Sequence, residues 1–420
     1  MRIEADLLIP GRGQPVRDGV VILDGARIAY AGPRARAPAS NDGDESGGPA
    51  SRGSALKVRT VMPGLWDCHA HFLGVRDLDL EKAIREPHAL LAARATRTVE
   101  AVLSAGFTSV RELGGYGVYL AQAVAEGSIP GPTIYAAGSI LSQTGGHADV
   151  HGWPLATVAD YSAHGGVLQV CDGVAECLKA VRLQLRRSAR VIKVCASGGV
   201  LSEVDHPVHQ QFSDDELKAI VDEAGRADRV VAAHCHGKPG IMAALRAGCR
   251  TIEHGSFLDE EAAAALKEAK AILVSTRSIV ARIMGAIDKV PPYAAAKMRA
   301  TADRHLESMR IGHEAGVTIA CGTDLATSGL STIAPQGANA EELGHLVAAG
   351  YTPLEAIEAA TANAPLTLGP QAPRSGMLAE GYDADVIGLD IDPLADITLL
   401  TDRAHVTHVW KAGREVKRAA

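Results

Sequence analysis

Short apolar or alternating runs open the chain: residues 3–9 (IEADLLI), 19–24 (GVVILD) and 27–31 (RIAYA), separated by Gly-containing turns. A period of two marks strands, so this stretch predicts a small β-meander. Residues 38–54, PASNDGDESGGPASRGS, hold no bulky apolar side chain and predict a flexible surface loop. Beyond residue 60 the pattern changes, and strand-like runs alternate with amphipathic or Ala-rich stretches. The strand candidates are residues 61–67, TSVREL (108–113), PTIYAAG (132–138), RVIKVCA (190–196), VVAAHCH (230–236), TIEHG (251–255), AILVST (271–276) and VTIACGTD (317–324). Helical stretches cover 87–104, 116–126, 172–188, 214–228, 259–270, 293–315 and 338–349. Eight strands, most followed by a helix, predict an α/β fold with a parallel sheet closed into a (β/α)₈ TIM barrel over 61–370. Two long loops, 139–166 after the third strand and 197–212 after the fourth, fall on the C-terminal face of such a barrel, where its chemistry is kept. From 373 onward short strands return (ADVIGLD, HVTHVWK, GREV). Residues 371–420 are therefore placed with residues 1–60 in one small β-domain built from both chain ends.

Composition narrows the class. Of 420 residues, 47% are hydrophobic but only 4% aromatic, so a large core must be built mainly from Ala, Val, Leu and Ile. A formal charge of −7, mixed along the chain, argues against nucleic acid or an anionic membrane as the main partner. The seven cysteines follow no framework spacing, the N-terminus lacks a signal-peptide layout, and no apolar run approaches the ~18 residues of a membrane span. These features predict a soluble, cytoplasmic protein kept in a reducing compartment.

Candidate chemistry begins at VMPGLWDCHAH, residues 61–71. Side chains two apart on a strand share a face, so His69 and His71 project together. Taken alone, the pair fits two ordinary histidines as well as it fits a metal site. Other strand ends alter that balance: Lys193 on the fourth strand, His234 and His236 on the fifth, His254 on the sixth and Asp324 on the eighth. Strand ends on one barrel rim converge, and imidazoles with a carboxylate are metal ligands. Lys193 shares a face with Val191 and Cys195, and an unpaired ammonium there carries a large desolvation penalty. Carboxylation by CO₂ would turn it into a carbamate able to bridge two metals; snorkelling, or pairing with Glu203, are the plainer alternatives. Asp324 fits a metal ligand and proton carrier, or a helix N-cap before TSGLST. Of His234 and His236 only one need be a ligand, and the other would face the substrate. His147, in the Gly-rich loop, fits a group that polarises a carbonyl or binds a carboxylate, or a solvated loop histidine. His88, His305, His313, His345, His405 and His408 read as structural. Cys68 and Cys235 read as small core residues facing the surrounding helices.

PGLWDCHAH, IKVCASGG, AHCHG, IEHGS and CGTD, with the C-terminal SGMLAEGYDADVIGLDIDPL and VWKAGREV, resemble the metal-dependent amidohydrolase superfamily over nearly the whole chain. The resemblance implies a (β/α)₈ barrel with a β-sandwich-like domain from both termini, and two divalent metals, usually Zn²⁺. It implies that His69, His71 and Asp324 hold one metal and His234 and His254 the other. Carboxylated Lys193 and a hydroxide would bridge the two, and Asp324 would carry a proton to the leaving amine. SQTGGHAD and the IKVCASGG lysine resemble a narrower group. It contains Xaa-Pro dipeptidases, carboxypeptidase-like enzymes and the ochratoxin-hydrolysing amidohydrolases, which cleave the amide between phenylalanine and an isocoumarin acid. Position 236 is His where some dipeptidases of the group carry Tyr. The expected activity is hydrolysis of the amide between an acyl group and a C-terminal amino acid, with ochratoxin A, split to ochratoxin alpha and phenylalanine, as the expected substrate. An Xaa-Pro or other dipeptidase is the alternative. A catalytically inactive assembly protein is the third reading, although inactive relatives usually lose ligands and here none is missing. The expected partner is a small N-acyl amino acid or dipeptide substrate, and the expected assembly of the chain is a homo-oligomer.

Overall fold

The computed structural model describes residues 1–38, 55–79, 81, 85–328, 331 and 333–418. The surface loop expected over 38–54 therefore lies, beyond residue 38, outside the described residues.

The first strands are β1 (Arg2–Leu8), β2 (Val16–Asp24), β3 (Arg27–Pro33), β4 (Leu56–Pro63) and β5 (Leu65–Val75). The run expected as one strand over 61–67 is thus two. Pro63 lacks an N–H to continue the ladder. At Gly64 the chain passes so close to the next strand that a Cβ would lie 2.2 Å from Thr108 Oγ1. β4 pairs in parallel with β1, Ile3 opposite Leu56, and belongs with the chain ends. β5 begins the parallel core and is buried along its whole length.

Next come β6 (Phe107–Glu112), β7 (Thr133–Ala136), β8 (Ile140–Ser142), β9 (Leu168–Val170), β10 (Ile192–Cys195), β11 (Val231–Cys235), β12 (Thr251–His254), β13 (Ile272–Val274), β14 (Ile319–Ala320) and β15 (Leu325–Thr327). They form two all-parallel arcs, β15-β5-β6-β7 and β14-β13-β12-β11-β10-β8-β9. Backbone hydrogen bonds span both gaps between the arcs: Cys68 N donates to Cys321 O and Arg190 N to Ala136 O, each at 2.8 Å. The last strands, β16 (Val386–Leu389), β17 (Val406–Lys411) and β18 (Arg414–Arg418), join β4 and the meander in a seven-stranded sheet of order β18-β17-β16-β4-β1-β2-β3.

Segment 139–166 is not one long loop. It holds β8 and a helix, Leu155–Ala163, whose buried Val158, Tyr161 and Ser162 lie at helical spacing. The Gly/His-rich stretch before them hides this short pattern. Helices Lys238–Ala247, Arg277–Gly285 and Pro353–Ala359 were likewise not marked by sequence period, being only two to three turns long. The helices seat on the sheets through Ala, Val, Leu and Ile, as the low aromatic content requires. All seven cysteines are free and buried; Cys68 packs beside Ala364 and Leu368 rather than a long helix. No described helix is long and apolar enough to cross a membrane.

Candidate active site

The C-terminal ends of the parallel strands bring the expected residues together. His69 and His71 come from β5, Lys193 from β10, His234 from β11 and His254 from β12, with His236 one residue beyond β11 and Asp324 after β14. With His147 they line one cavity. Two clusters have metal-ligand spacing: His69, His71 and Asp324, and His234, His236 and His254, each with ligand atoms within 4.8 Å of one another. The clusters adjoin, since the His69 and His254 rings are 5.0 Å apart. His236 belongs to the second cluster as closely as His234 and His254 do.

Each imidazole has one nitrogen held by the protein outside the two clusters, and all five side chains line the cavity. His69 Nδ1 meets Glu253 Oε2 at 2.8 Å, His71 Nδ1 meets Gly114 O at 2.8 Å, and His254 Nδ1 meets Thr276 Oγ1 at 2.8 Å. His236 Nδ1 meets Ser256 Oγ at 2.7 Å, and His234 Nε2 meets Gly198 O at 3.1 Å. Such outer partners fix ring orientation and leave a lone pair for a cation. Burial drives the His69 imidazole down to about 4 and the His236 imidazole to about 3, and holds His234 and His254 well below the ordinary range. Neutral rings are ligand-competent rings.

Asp324 approaches His71 Nε2 at 3.1 Å and His69 Nε2 at 3.5 Å. Burial raises its carboxyl, but His69, His71 and Lys193 outweigh that and hold it at about 2. It is not a helix cap: the residues after it form β15, paired with β5. Asp324, His254 and Thr276 all carry left-handed backbone, φ 58°, 68° and 67°. Non-glycine residues held there store strain of order 1 kcal/mol each, and such positions cluster at functional sites.

Lys193 is 2% exposed, and its Nζ has no hydrogen-bond partner among the described residues. It neither snorkels nor pairs with Glu203, which lines an adjoining cavity. Burial pushes its amine down from the usual lysine range.

Several supporting residues went unnoticed in the sequence. Glu253, fully buried, accepts from Arg111 Nη2 at 2.8 and 2.9 Å as well as facing His69. Arg111 also donates to Cys68 O at 2.6 Å and to Thr251 Oγ1 at 2.9 Å. Asp67 accepts from Thr323 Oγ1 and Asn339 Nδ2, both at 2.6 Å, tying β5 to the Asp324 segment. A charged residue inside an apolar strand run was the available signal in TSVREL and TIEHG, as it was for Lys193. His305, read as structural, sits behind the site with Nε2 3.0 Å from Ser275 O. The outer wall of the cavity is apolar: Val200, Leu201, Ile279, Val280, Ile283 and Met298.

Residues 60–416 match the sequence profile of the amidohydrolase family. Ochratoxinase of Aspergillus niger is 45% identical over 428 aligned residues, covering 99% of this chain and 86% of the relative. The crystal structure of A. niger ochratoxinase has a TM-score of 0.90 at 44% identity, covering 100% of this chain and 96% of that one. A prolidase crystallised with N-methylphosphonate-L-proline has a TM-score of 0.87 at 34% identity, with 100% of both chains covered. On a family match spanning most of its length and a relative this similar from end to end, the chain belongs to the amidohydrolase family and is a hydrolase acting on amide bonds.

Proposed function

We propose that the two parallel arcs close into one (β/α)₈ barrel over 61–370, capped by a small β-sandwich-like domain from 1–60 and 371–420, and that its mouth is a dinuclear amidohydrolase centre. The backbone hydrogen bonds across both gaps support the closure. The observation that carries the site is the orphaned Lys193 Nζ, buried in the cavity that both ligand clusters line. An ammonium there has no hydrogen-bond partner among the described residues and would be repelled by any cation the histidines held. A carbamate on the same nitrogen would instead offer two anionic oxygens to both clusters.

In this reading His69, His71 and Asp324 would hold one Zn²⁺, His234 and His254 the other, and carboxylated Lys193 would join them. When bound, the cations would polarise the substrate carbonyl and make water acidic enough to attack it near neutral pH. Asp324, ionised and facing the cavity, takes the proton of the attacking water and returns it to the leaving nitrogen. Glu253 and Gly114 hold the His69 and His71 rings in place through their Nδ1 atoms. His147 and His236 contact the substrate. The apolar wall of Ile279, Val280, Ile283 and Met298 excludes water and seats an apolar side chain.

The substrate is an acyl group joined by an amide to a C-terminal amino acid, and ochratoxin A, split to ochratoxin alpha and phenylalanine, is a member of that class. End-to-end likeness to ochratoxinase and the apolar wall support it. A dipeptidase acting before proline is the second reading, favoured by the full-length likeness to a prolidase. The test is a panel of ochratoxin A, N-acyl amino acids and Xaa-Pro dipeptides with released amino acid measured, alongside metal analysis of the purified protein. Fast release from ochratoxin A with two metals per chain is expected; release confined to Xaa-Pro peptides would favour the second reading.

A further inference from the structure

His147 is held by a chain of buried polar groups reaching away from the cavity. Its Nδ1 lies 2.8 Å from Ser202 Oγ, and Ser202 Oγ donates in turn to Asp205 Oδ1. Asp205 is surrounded by donors. Gly199 N lies 2.9 Å and Gln211 Nε2 3.0 Å from Oδ2, and Lys297 Nζ 3.3 Å from Oδ1. Lys297 Nζ also donates to Ser202 O at 2.7 Å, which closes the loop around the carboxylate. Gln211 Oε1 accepts from His147 N at 3.0 Å, so both long loops are fastened through the same group. A Cβ at Gly199 would lie 2.0 Å from His147 Nδ1, so only glycine lets the loop lie against the ring. On its other face the ring stacks on His234, centroids 4.3 Å apart.

Proton accounting along this chain has one solution for a neutral imidazole. A carboxylate facing four donors accepts and does not donate. The single hydroxyl proton of Ser202 goes to it, so Ser202 Oγ can only accept from His147 Nδ1. The proton of His147 then sits on Nδ1, and Nε2 is a bare lone pair. Among the described residues Nε2 has no hydrogen-bond partner, and the side chain lines the cavity.

We propose that Ser202 and Asp205, pinned by Lys297, are positioning residues that fix the His147 proton on Nδ1, so that Nε2 accepts a hydrogen bond from the N–H of a secondary amide substrate. This rests on the amide-hydrolase reading of the site and adds a substrate distinction to it. The amide of an N-acyl amino acid carries that N–H, whereas the amide before proline does not.

The test uses the metal-loaded enzyme labelled with ¹⁵N at histidine. The His147 signals are those absent from His147→Gln, and they are expected to show a protonated Nδ1 and a bare Nε2. In parallel, kcat/KM is measured on an N-acyl amino acid and on its N-methylated amide. Asp205→Asn and Ser202→Ala should each lower the preference for the secondary amide by about tenfold, the worth of one hydrogen bond. Should Asp205→Asn fail to fold, Ser202→Ala and the wild-type spectrum remain decisive. A proton on Nε2 in the wild type, or equal losses on both amides, would overturn the proposal. If the wild type cleaves neither amide, the amide reading itself fails, while the spectrum still judges the tautomer.

Discussion

Replacing Lys193 with methionine should move the stability of the metal-free and metal-loaded protein in opposite directions. Methionine keeps the length and apolar stem of lysine and removes the amine. In the metal-free protein that amine is 2% exposed with no partner. A buried polar group without a hydrogen bond costs about 1–3 kcal/mol, so Lys193→Met should raise metal-free stability by about that amount. In the loaded protein the same change removes the group proposed to join the two clusters. Bound metal stabilises by RT ln(1 + [L]/Kd), about 2.7 kcal/mol at a hundredfold excess over Kd, and that gain should shrink or vanish. Urea unfolding of both forms, compared at unchanged slope, gives the two differences. Metal analysis should show fewer than two ions per chain in the variant. A carbamate signal after exposure to ¹³C-bicarbonate should appear in the wild type and be absent from Lys193→Met. A variant that keeps two metals, or whose metal-free form is less stable than wild type, refutes the assignment of Lys193 and the desolvation argument behind it.

Asp324→Asn should retain the fold and lose at least ~10²–10⁴-fold in kcat, because the amide can still offer an oxygen but cannot carry the proton; near-wild-type turnover in metal-replete variant would remove that role. Glu253→Gln leaves Arg111 as a buried, half-compensated charge and should cost about 3–5 kcal/mol in urea unfolding. The double change Glu253→Gln with Arg111→Met should recover part of it, and additive losses would count against the pair. His236→Ala should keep two metals per chain while kcat/KM falls roughly ten- to a hundredfold, as for one charge-assisted hydrogen bond; loss of a metal would make His236, not His234, the ligand from that strand.

Much of the site was legible because parallel strands deliver their ends to one rim, so a linear search of strand ends is also a spatial search. His69, His71, Lys193, His234, His236, His254 and Asp324 were found that way and share one cavity. The fold was legible where elements are long and periodic, as at Pro292–Glu314, and illegible where they are short. The three residues of β8 show barely one strand period and the nine of Leu155–Ala163 about two and a half turns, inside a segment whose glycines and histidines point to a loop. At 61–67 the apolar run continued unbroken in composition, and only the missing N–H of Pro63 and the crowding at Gly64 divide it between two sheets.

What the sequence search missed follows from applying one physical rule to Lys193 alone. A charge inside an apolar strand must be paired, neutralised or bound, whatever its sign. Arg111, Glu253 and Asp67 satisfy the same criterion in TSVREL, TIEHG and GLWDC, and all three are fully buried. Arg111 and Glu253 answer each other at 2.8 Å. Asp67 is answered by Thr323 and Asn339, and although burial still pushes its carboxyl up to about 6, its oxygens accept four hydrogen bonds. Lys193 has no such answer among the described residues. Among Arg111, Glu253, Asp67 and Lys193, pairing therefore sorts the charges by role: the three satisfied ones brace β5, β6 and β12 behind the histidines, and Lys193 marks where a bound cation and a modified side chain would complete the structure. Only the positions of partners make that sorting possible, and strands distant in sequence supply them.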